Sequence, residues 1–217
     1  MRAFVLICLF LLVQGPLSAW ELIYQKNGVQ VYRRQAPNSP IHEMRGQAIL
    51  PCPMLEVLSV VLDYKHFKEW QPHLIRFERL QTINDETFIN YAAVSMPWPV
   101  QDRDMVMQAR FQIEAPKRQF QVHWRDTSWP DRPPTKQYVR VASSRVIWSL
   151  SPVDQGRSTR VSFQALGDPG GWIPAWLVNW FSRYMIADSF ERLQRRIEQK
   201  KFNALYVQRF RFVEDWY

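Results

Sequence analysis

Between Gly167 and Phe181 the chain reads Gly-Asp-Pro-Gly-Gly-Trp-Ile-Pro-Ala-Trp-Leu-Val-Asn-Trp-Phe, and this stretch limits the possible folds more than any other. Asp-Pro-Gly-Gly is a turn signal that ends an alternating, strand-like segment. Pro174 stands where a first helical residue tolerates proline, and no proline follows it. At about 100° per residue, the run from Ala175 to Lys200 carries two apolar stripes. One is continuous: Val178, Ser182, Met185, Ile186, Ser189, Leu193 and Ile197. Two of its members are serines, small enough to admit a close neighbour. The other is short and aromatic, with Trp176, Trp180 and Tyr184 at i, i+4 and i+8. A helix lying on a sheet buries one face, so this helix is left with a second apolar face to account for.

The first nineteen residues have the pattern of a secretory signal. Arg2 supplies the charge, Ala3 to Val13 the apolar run, and Leu17-Ser18-Ala19 a cleavage site before Trp20. The apolar run is short for a bilayer span, and retention as an anchor is the alternative. The expected organisation is a signal over 1–19, one domain over 20–200 and an aromatic C-terminal extension over 201–217. Export to a periplasm is the expected destination, with a secretory-pathway lumen as the alternative. Beyond the signal only Cys52 remains, so no intramolecular disulfide forms and packing must supply the stability. Ten Trp and thirteen Phe provide ample apolar surface for that. The net charge of +8 favours an anionic partner, and export makes that a membrane surface rather than nucleic acid. A monomer is expected.

Alternating segments flank Asn27-Gly28, and Ile41 to Leu50 adds a further strand. Pro51-Cys52-Pro53 precedes a helix over Met54 to Leu62, whose apolar positions follow the 3.6-residue period. Asp63 to Trp70 reads as a second short helix or turn, stopped by Pro72. Strands are predicted over Leu74–Leu80, Thr87–Ser95, Arg103–Ile113, Phe120–Arg125, Gln137–Val141, Arg145–Leu150 and Ser158–Leu166. Trp129 to Pro134 is a proline-rich loop. Antiparallel strands followed by one long helix indicate an α+β fold with a curved sheet and helices on one side.

An ordered series of segments resembles the START (StAR-related lipid-transfer) domains. The carriers are Asn27-Gly28-Val29-Gln30-Val31-Tyr32, Leu62-Asp63-Tyr64 leading to Glu69-Trp70, and Met96-Pro97-Trp98-Pro99-Val100-Gln101-Asp102-Arg103-Asp104. Trp148-Ser149-Leu150-Ser151-Pro152 and the Gly-Gly-Trp-Ile-Pro approach to the last helix complete the series. The resemblance implies a helix-grip fold, a curved antiparallel sheet wrapped around the long C-terminal helix. It also implies an internal hydrophobic cavity that holds one lipid-like molecule, with that helix and a neighbouring loop as its gate.

On that reading the ligand-binding candidates are Arg103, Met105, Met107, Asn90, Tyr91, Trp148, Ser182, Met185 and Ser189. Along the Arg103 strand one face carries Arg103, Met105, Met107, Ala109 and Phe111, and methionines adapt well to flexible chains. Arg103 is the candidate for a polar or phosphate head group, or else a structural partner of Asp102, Asp104 or Asp63. Better-known members of the family carry a second basic residue six positions on, where this chain has Ala109. The acidic partner on the preceding strand also lacks a clear match, so the resemblance leaves open whether sterol or phosphatidylcholine specificity carries over. The gate and membrane-contact candidates are Gly170, Gly171, Trp172, Ile173, Trp176 and Trp180. The helix continues into Arg192, Arg195, Arg196, Lys200 and Lys201, a cationic end suited to anionic lipids.

Enzymatic motifs are sparse. His42, His66, His73 and His123 have no metal-ligand spacing, and neither hydrolase nor phosphate-loop signatures occur. No metal or cofactor is expected. The enzymatic alternative is a cyclase-type helix-grip protein using Arg103, Asp104 and Tyr91 as acid–base groups, and a third reading is a structural protein of the membrane surface.

Overall fold

The computed structural model describes residues 19–200 and 204–216. All of the expected signal except Ala19 lies outside the described residues, as do Phe202 and Tyr217 of the aromatic extension. No helix among the described residues is long and apolar enough to cross a membrane.

Ten strands form one sheet: β1 (Glu21–Lys26), β2 (Val29–Gln35), β3 (His42–Leu50), β4 (Leu74–Thr82), β5 (Thr87–Val94), β6 (Arg103–Glu114), β7 (Gln119–Asp126), β8 (Val139–Arg140), β9 (Ser143–Val153) and β10 (Ser158–Asp168). The main path runs β1-β2-β3-β10-β9-β7-β6-β5-β4, and its pairings are antiparallel. The last strand in sequence thus sits at the centre, between β3 and β9. The expected strand over Gln137–Val141 shrinks to the two residues of β8, which pair in parallel with Arg103 and Asp104 of β6, beyond the point where the β6–β7 pairing ends at Met107. The proline-rich loop before it limits how far the segment can join the ladder.

Four helices cover the inner face: α1 (Met54–Val61), α2 (Phe67–Trp70), α3 (Ala175–Glu198) and α4 (Ala204–Arg209). The inner stripe of α3 includes Phe181, Ala187 and Phe190 as well as the expected Val178, Ile186, Ser189, Leu193 and Ile197. Phe190 and Leu193 are fully enclosed. The helix lies directly on β3 at Gly46, where an added Cβ would fall well inside van der Waals contact of Ile186 Cγ2 and Phe190 Cε2. Gly46 therefore sets how closely α3 approaches the sheet.

The tail packs far from the aromatic stripe of α3. Its α4 segment and the 3-10 turns over Arg211–Trp216 lie against α1. Phe210 stacks edge-on against Phe120 at 5.3 Å and meets Phe111 at 6.2 Å, and Val213 and Trp216 are buried with it in the main core. Because the tail is engaged there, Trp176, Trp180 and Tyr184 remain exposed.

A second, smaller cluster lies on the outer face of the sheet, where Ile89, Tyr91, Ala93 and Val106 pack under Trp129 and Tyr138. The proline-rich loop serves as its cover.

Candidate functional site

Sheet, α1–α2 and α3 from Val178 to Ser189 surround a partly open cavity of about 340 Å³. Alternation along β6 builds one wall, since Arg103, Met105 and Met107 line the cavity while Asp104 and Val106 point the other way. Trp148 and Phe163 extend that wall across β9 and β10, their rings meeting edge-on at 4.8 Å. The helix contributes Val178, Phe181, Ser182, Met185, Ile186 and Ser189. Trp70 and Gln71 close the side below α2, and Gln71 Oε1 accepts the Ser189 hydroxyl at 3.3 Å.

Seven of the expected ligand-binding residues, Arg103, Met105, Met107, Trp148, Ser182, Met185 and Ser189, therefore share this one chamber. Tyr91 does not. Its position in β5 is one residue from the cavity-lining Ala92, so strand alternation turns it to the outer face. There its hydroxyl donates to Asp104 Oδ2 at 3.2 Å, and burial together with the Asp104 charge pushes its pKa up to about 12. Asn90 faces inward but lies one step below the lining residues, where it accepts Arg79 Nε at 3.2 Å.

Asp104 belongs to that outer network, with Arg140 donating to it at 2.8 and 3.0 Å. Arg103 and Asp104, adjacent in sequence, thus serve opposite faces. The three residues of the enzymatic alternative do not meet: Arg103 is inside, and Asp104 and Tyr91 are outside.

Arg103 is only 4% exposed and makes none of the three ion pairs considered for it. Its guanidinium donates to main-chain carbonyl oxygens instead: Gln101, Pro169 at 3.4 Å and Gly170 at 3.1 Å. Burial lowers its pKa from the ordinary arginine range, and the Asp102 charge opposes this. Asp102 itself accepts the Met96 N–H at 2.9 Å. Arg103 therefore ties the loop before α3 to the start of β6, while still presenting an edge to the cavity. Gly170 and Gly171 in that loop have φ of 69° and 66°, a region that glycine occupies without steric cost.

A second tie was not visible in the sequence. Asn179, on the first half of α3, accepts the His42 N–H at 2.8 Å and donates to the Pro40 carbonyl at 3.2 Å. It fastens the helix to the loop between β2 and β3.

At the start of α3 and in the loop before it, Trp176 is 70% exposed and Trp172 91%, and Trp180 stacks flat against Tyr184. Ile173 is half-buried. Trp98, 93% exposed, stands on the β5–β6 loop two residues from the cavity-lining Met96. The cationic end of α3 is elsewhere. Arg196 lies about 30 Å along the helix from Trp176, and it pairs with Glu69 at 2.7 Å. Arg192 pairs with Asp188 at 2.9 Å.

Five buried side-chain polar atoms among the described residues lack a hydrogen-bond partner. Three of them, His42 Nδ1, Trp70 Nε1 and Ser144 Oγ, belong to residues that line the cavity. No group of three or more metal-ligating side chains occurs among the described residues.

Comparison with known proteins agrees with this geometry. The chain is similar to the phosphatidylcholine transfer protein of Mus musculus, at 26% identity over 167 residues, covering 76% of this chain and 77% of that protein. The crystal structure of a STAR-related lipid transfer protein from Xanthomonas axonopodis superposes with a TM-score of 0.74 at 28% identity, covering 82% of this chain and 98% of that one. Human StAR-related lipid transfer protein 5 shares the fold at a TM-score of 0.75 and 19% identity, covering 86% of this chain and 89% of that one. A family model, START domain, matches residues 8–201. With a curved antiparallel sheet gripping a long C-terminal helix over an apolar chamber, this chain belongs to the START domain family.

Proposed function

We propose that this protein binds one lipid-like molecule in the cavity beneath α3 and carries it between membranes, without chemistry on the cargo. The observation that carries this reading is the chamber itself: a partly open, largely apolar space of about 340 Å³ roofed by the helix that the family grips. That volume lies at the lower end of the range for small-molecule sites, so a single acyl or isoprenoid chain suits the closed form. Lipid-transfer relatives support the same reading.

Entry is through the mouth between the β5–β6 loop and the first half of α3. Trp98 on that loop, Trp172 just before α3 and Trp176 in its first turn are exposed, and indoles favour the lipid–water boundary. The N-terminal secretory pattern supports action outside the cytoplasm, in a periplasm.

The test is loading and transfer. Mature protein is incubated with vesicles carrying a fluorescent lipid, re-isolated and offered to acceptor vesicles. Stoichiometric uptake followed by protein-dependent transfer is the expected result. No retained lipid from vesicles of any composition, in protein shown to be folded, would overturn the reading.

A further inference from the structure

Resting on the lipid-binding reading above, we propose that the cavity selects a lipid whose head group carries a net negative charge, seated at the mouth against Arg103, His42 and Ser144. The lining supplies the argument by what it carries. Arg103 is its one formally charged side chain, and it contains no Asp, Glu or Lys. Asp102, the carboxylate that acts on Arg103, is engaged by the Met96 N–H and does not line the cavity. A buried charge is costly without a partner, and neutral carbonyl oxygens do not cancel it. Three of the five guanidinium N–H groups are used by Gln101, Pro169 and Gly170, which leaves two for an acceptor in the chamber.

The unpartnered atoms lie at the same end. Ser144 on β9 pairs with Gly167 on β10. His42 on β3 lies two residues beyond the Met44–Ala165 pair, so it flanks Gly167 from the other side. Gly167 itself lines the cavity between these two positions, and Arg103 grips the carbonyls two and three residues further on. Buried polar atoms are rarely left unpaired in proteins, so Ser144 Oγ and His42 Nδ1 mark a place for a polar group of the ligand. An anionic head group neutralises Arg103 and satisfies both.

A choline head group fits poorly. Quaternary ammonium groups are received by aromatic faces and carboxylates. The lining has aromatic rings but no carboxylate, and the residues beside Arg103 on β5 and β6 are Val94 and Met105 rather than aromatic faces. A zwitterion would also bring a second cation into the chamber that holds Arg103.

Vesicles containing phosphatidylglycerol and phosphatidylcholine of identical acyl chains, with the lyso form of each, test this by native mass spectrometry of the loaded protein. The expected result is enrichment of the glycerol lipids over the choline lipids by about tenfold, equivalent to about 1.4 kcal/mol. Arg103→Gln is expected to abolish that preference. If that variant does not fold, His42→Phe with Ser144→Val, which leaves the loop ties in place, is expected to reduce it at least threefold. Equal loading, or preference for the choline lipids, overturns the proposal but leaves lipid binding intact. Absence of any bound lipid overturns both. Glycerol 3-phosphate provides the soluble-phosphate arm. Its failure to bind supports a lipid ligand, and tight binding of it alone overturns that assignment.

Discussion

Arg103 at the start of β6 donates from Nη2 to the carbonyl oxygen of Gly170 at 3.1 Å, joining two points 67 residues apart in the chain. This bond and its neighbours to Pro169 and Gln101 hold the loop from which α3 begins. An arginine is suited to the task, because its planar fork reaches several carbonyls at once where an ammonium reaches fewer.

Arg103→Ala removes that grip and leaves the carbonyls of Gln101, Pro169 and Gly170 without this donor. Hydrogen bonds to charged groups contribute about 1.5–3 kcal/mol, so a loss of stability of that order is expected in chemical denaturation. Amide exchange over residues 168–174 should rise more than exchange in β9. Unchanged exchange in that loop would show that the clasp does not hold it.

Asn179→Leu removes both ties between α3 and the β2–β3 loop. At about 1 kcal/mol for each hydrogen bond, release of a loaded fluorescent lipid should accelerate by roughly fivefold or more. A release rate equal to that of the unaltered protein would exclude Asn179 as a fastening of α3 over the cavity.

Gly46→Ala places a methyl group into Ile186 and Phe190. Overpacking of this kind costs about 1–3 kcal/mol. The denaturation midpoint should fall, and α3 should be displaced from β3. Full stability in this variant would mean that the helix does not rest on β3 as described.

Trp98→Ala, Trp172→Ala and Trp176→Ala should each weaken vesicle binding, by roughly tenfold where the indole contributes about 1.5 kcal/mol. Phe212→Ala, on the exposed tail surface, serves as the control and should have no effect. Co-sedimentation that is insensitive to all three tryptophans would place the membrane contact elsewhere.

The protein should weaken as pH rises from about 9. Burial, with Glu56 adding to it, pushes the Cys52 thiol from 9.0 up to about 12. Burial and Asp104 push Tyr91 from 10.0 up to about 12. Both groups favour their neutral form in the fold. Their contribution is complete below the unfolded values and is lost between those values and about pH 12. Urea denaturation at pH 7.5, 9, 10.5 and 11.5 measures the decline. A rise in stability over that range would contradict it. Alkylation of Cys52 at pH 8 should proceed only after unfolding.

Periodicity carried much of the site to the surface of the sequence. Alternation along β6 placed Arg103, Met105 and Met107 on one face, and the helical stripe supplied Ser182, Met185 and Ser189. Alternation also required Asn90 and Tyr91 to point in opposite directions, yet both were assigned to the ligand. Their separation follows from β5 having two covered faces, one inside and one beneath the proline-rich loop. What pattern cannot supply is partnership across the chain. Arg103 could have bonded any of three aspartates, and it bonds carbonyls instead. Nothing in the pattern around Asn179 names its partners, which are 137 and 139 positions away. Whether the aromatic stripe met the tail depended on where the tail docks, and that is decided by Phe210 finding Phe111 and Phe120.

The contact at Gly46 also gives α3 the mechanics of a beam supported near its middle. Beyond Ile186 the helix is embedded through Phe190 and Leu193, and before it the helix spans the chamber with Asn179 as a fastening. Ala175 stands eleven residues from Ile186, about 17 Å along the axis. A bend of about 10° at the support therefore carries the first turn through about 3 Å while the half beyond Ile186 stays seated. The lever arm was fixed by one missing methyl group in β3.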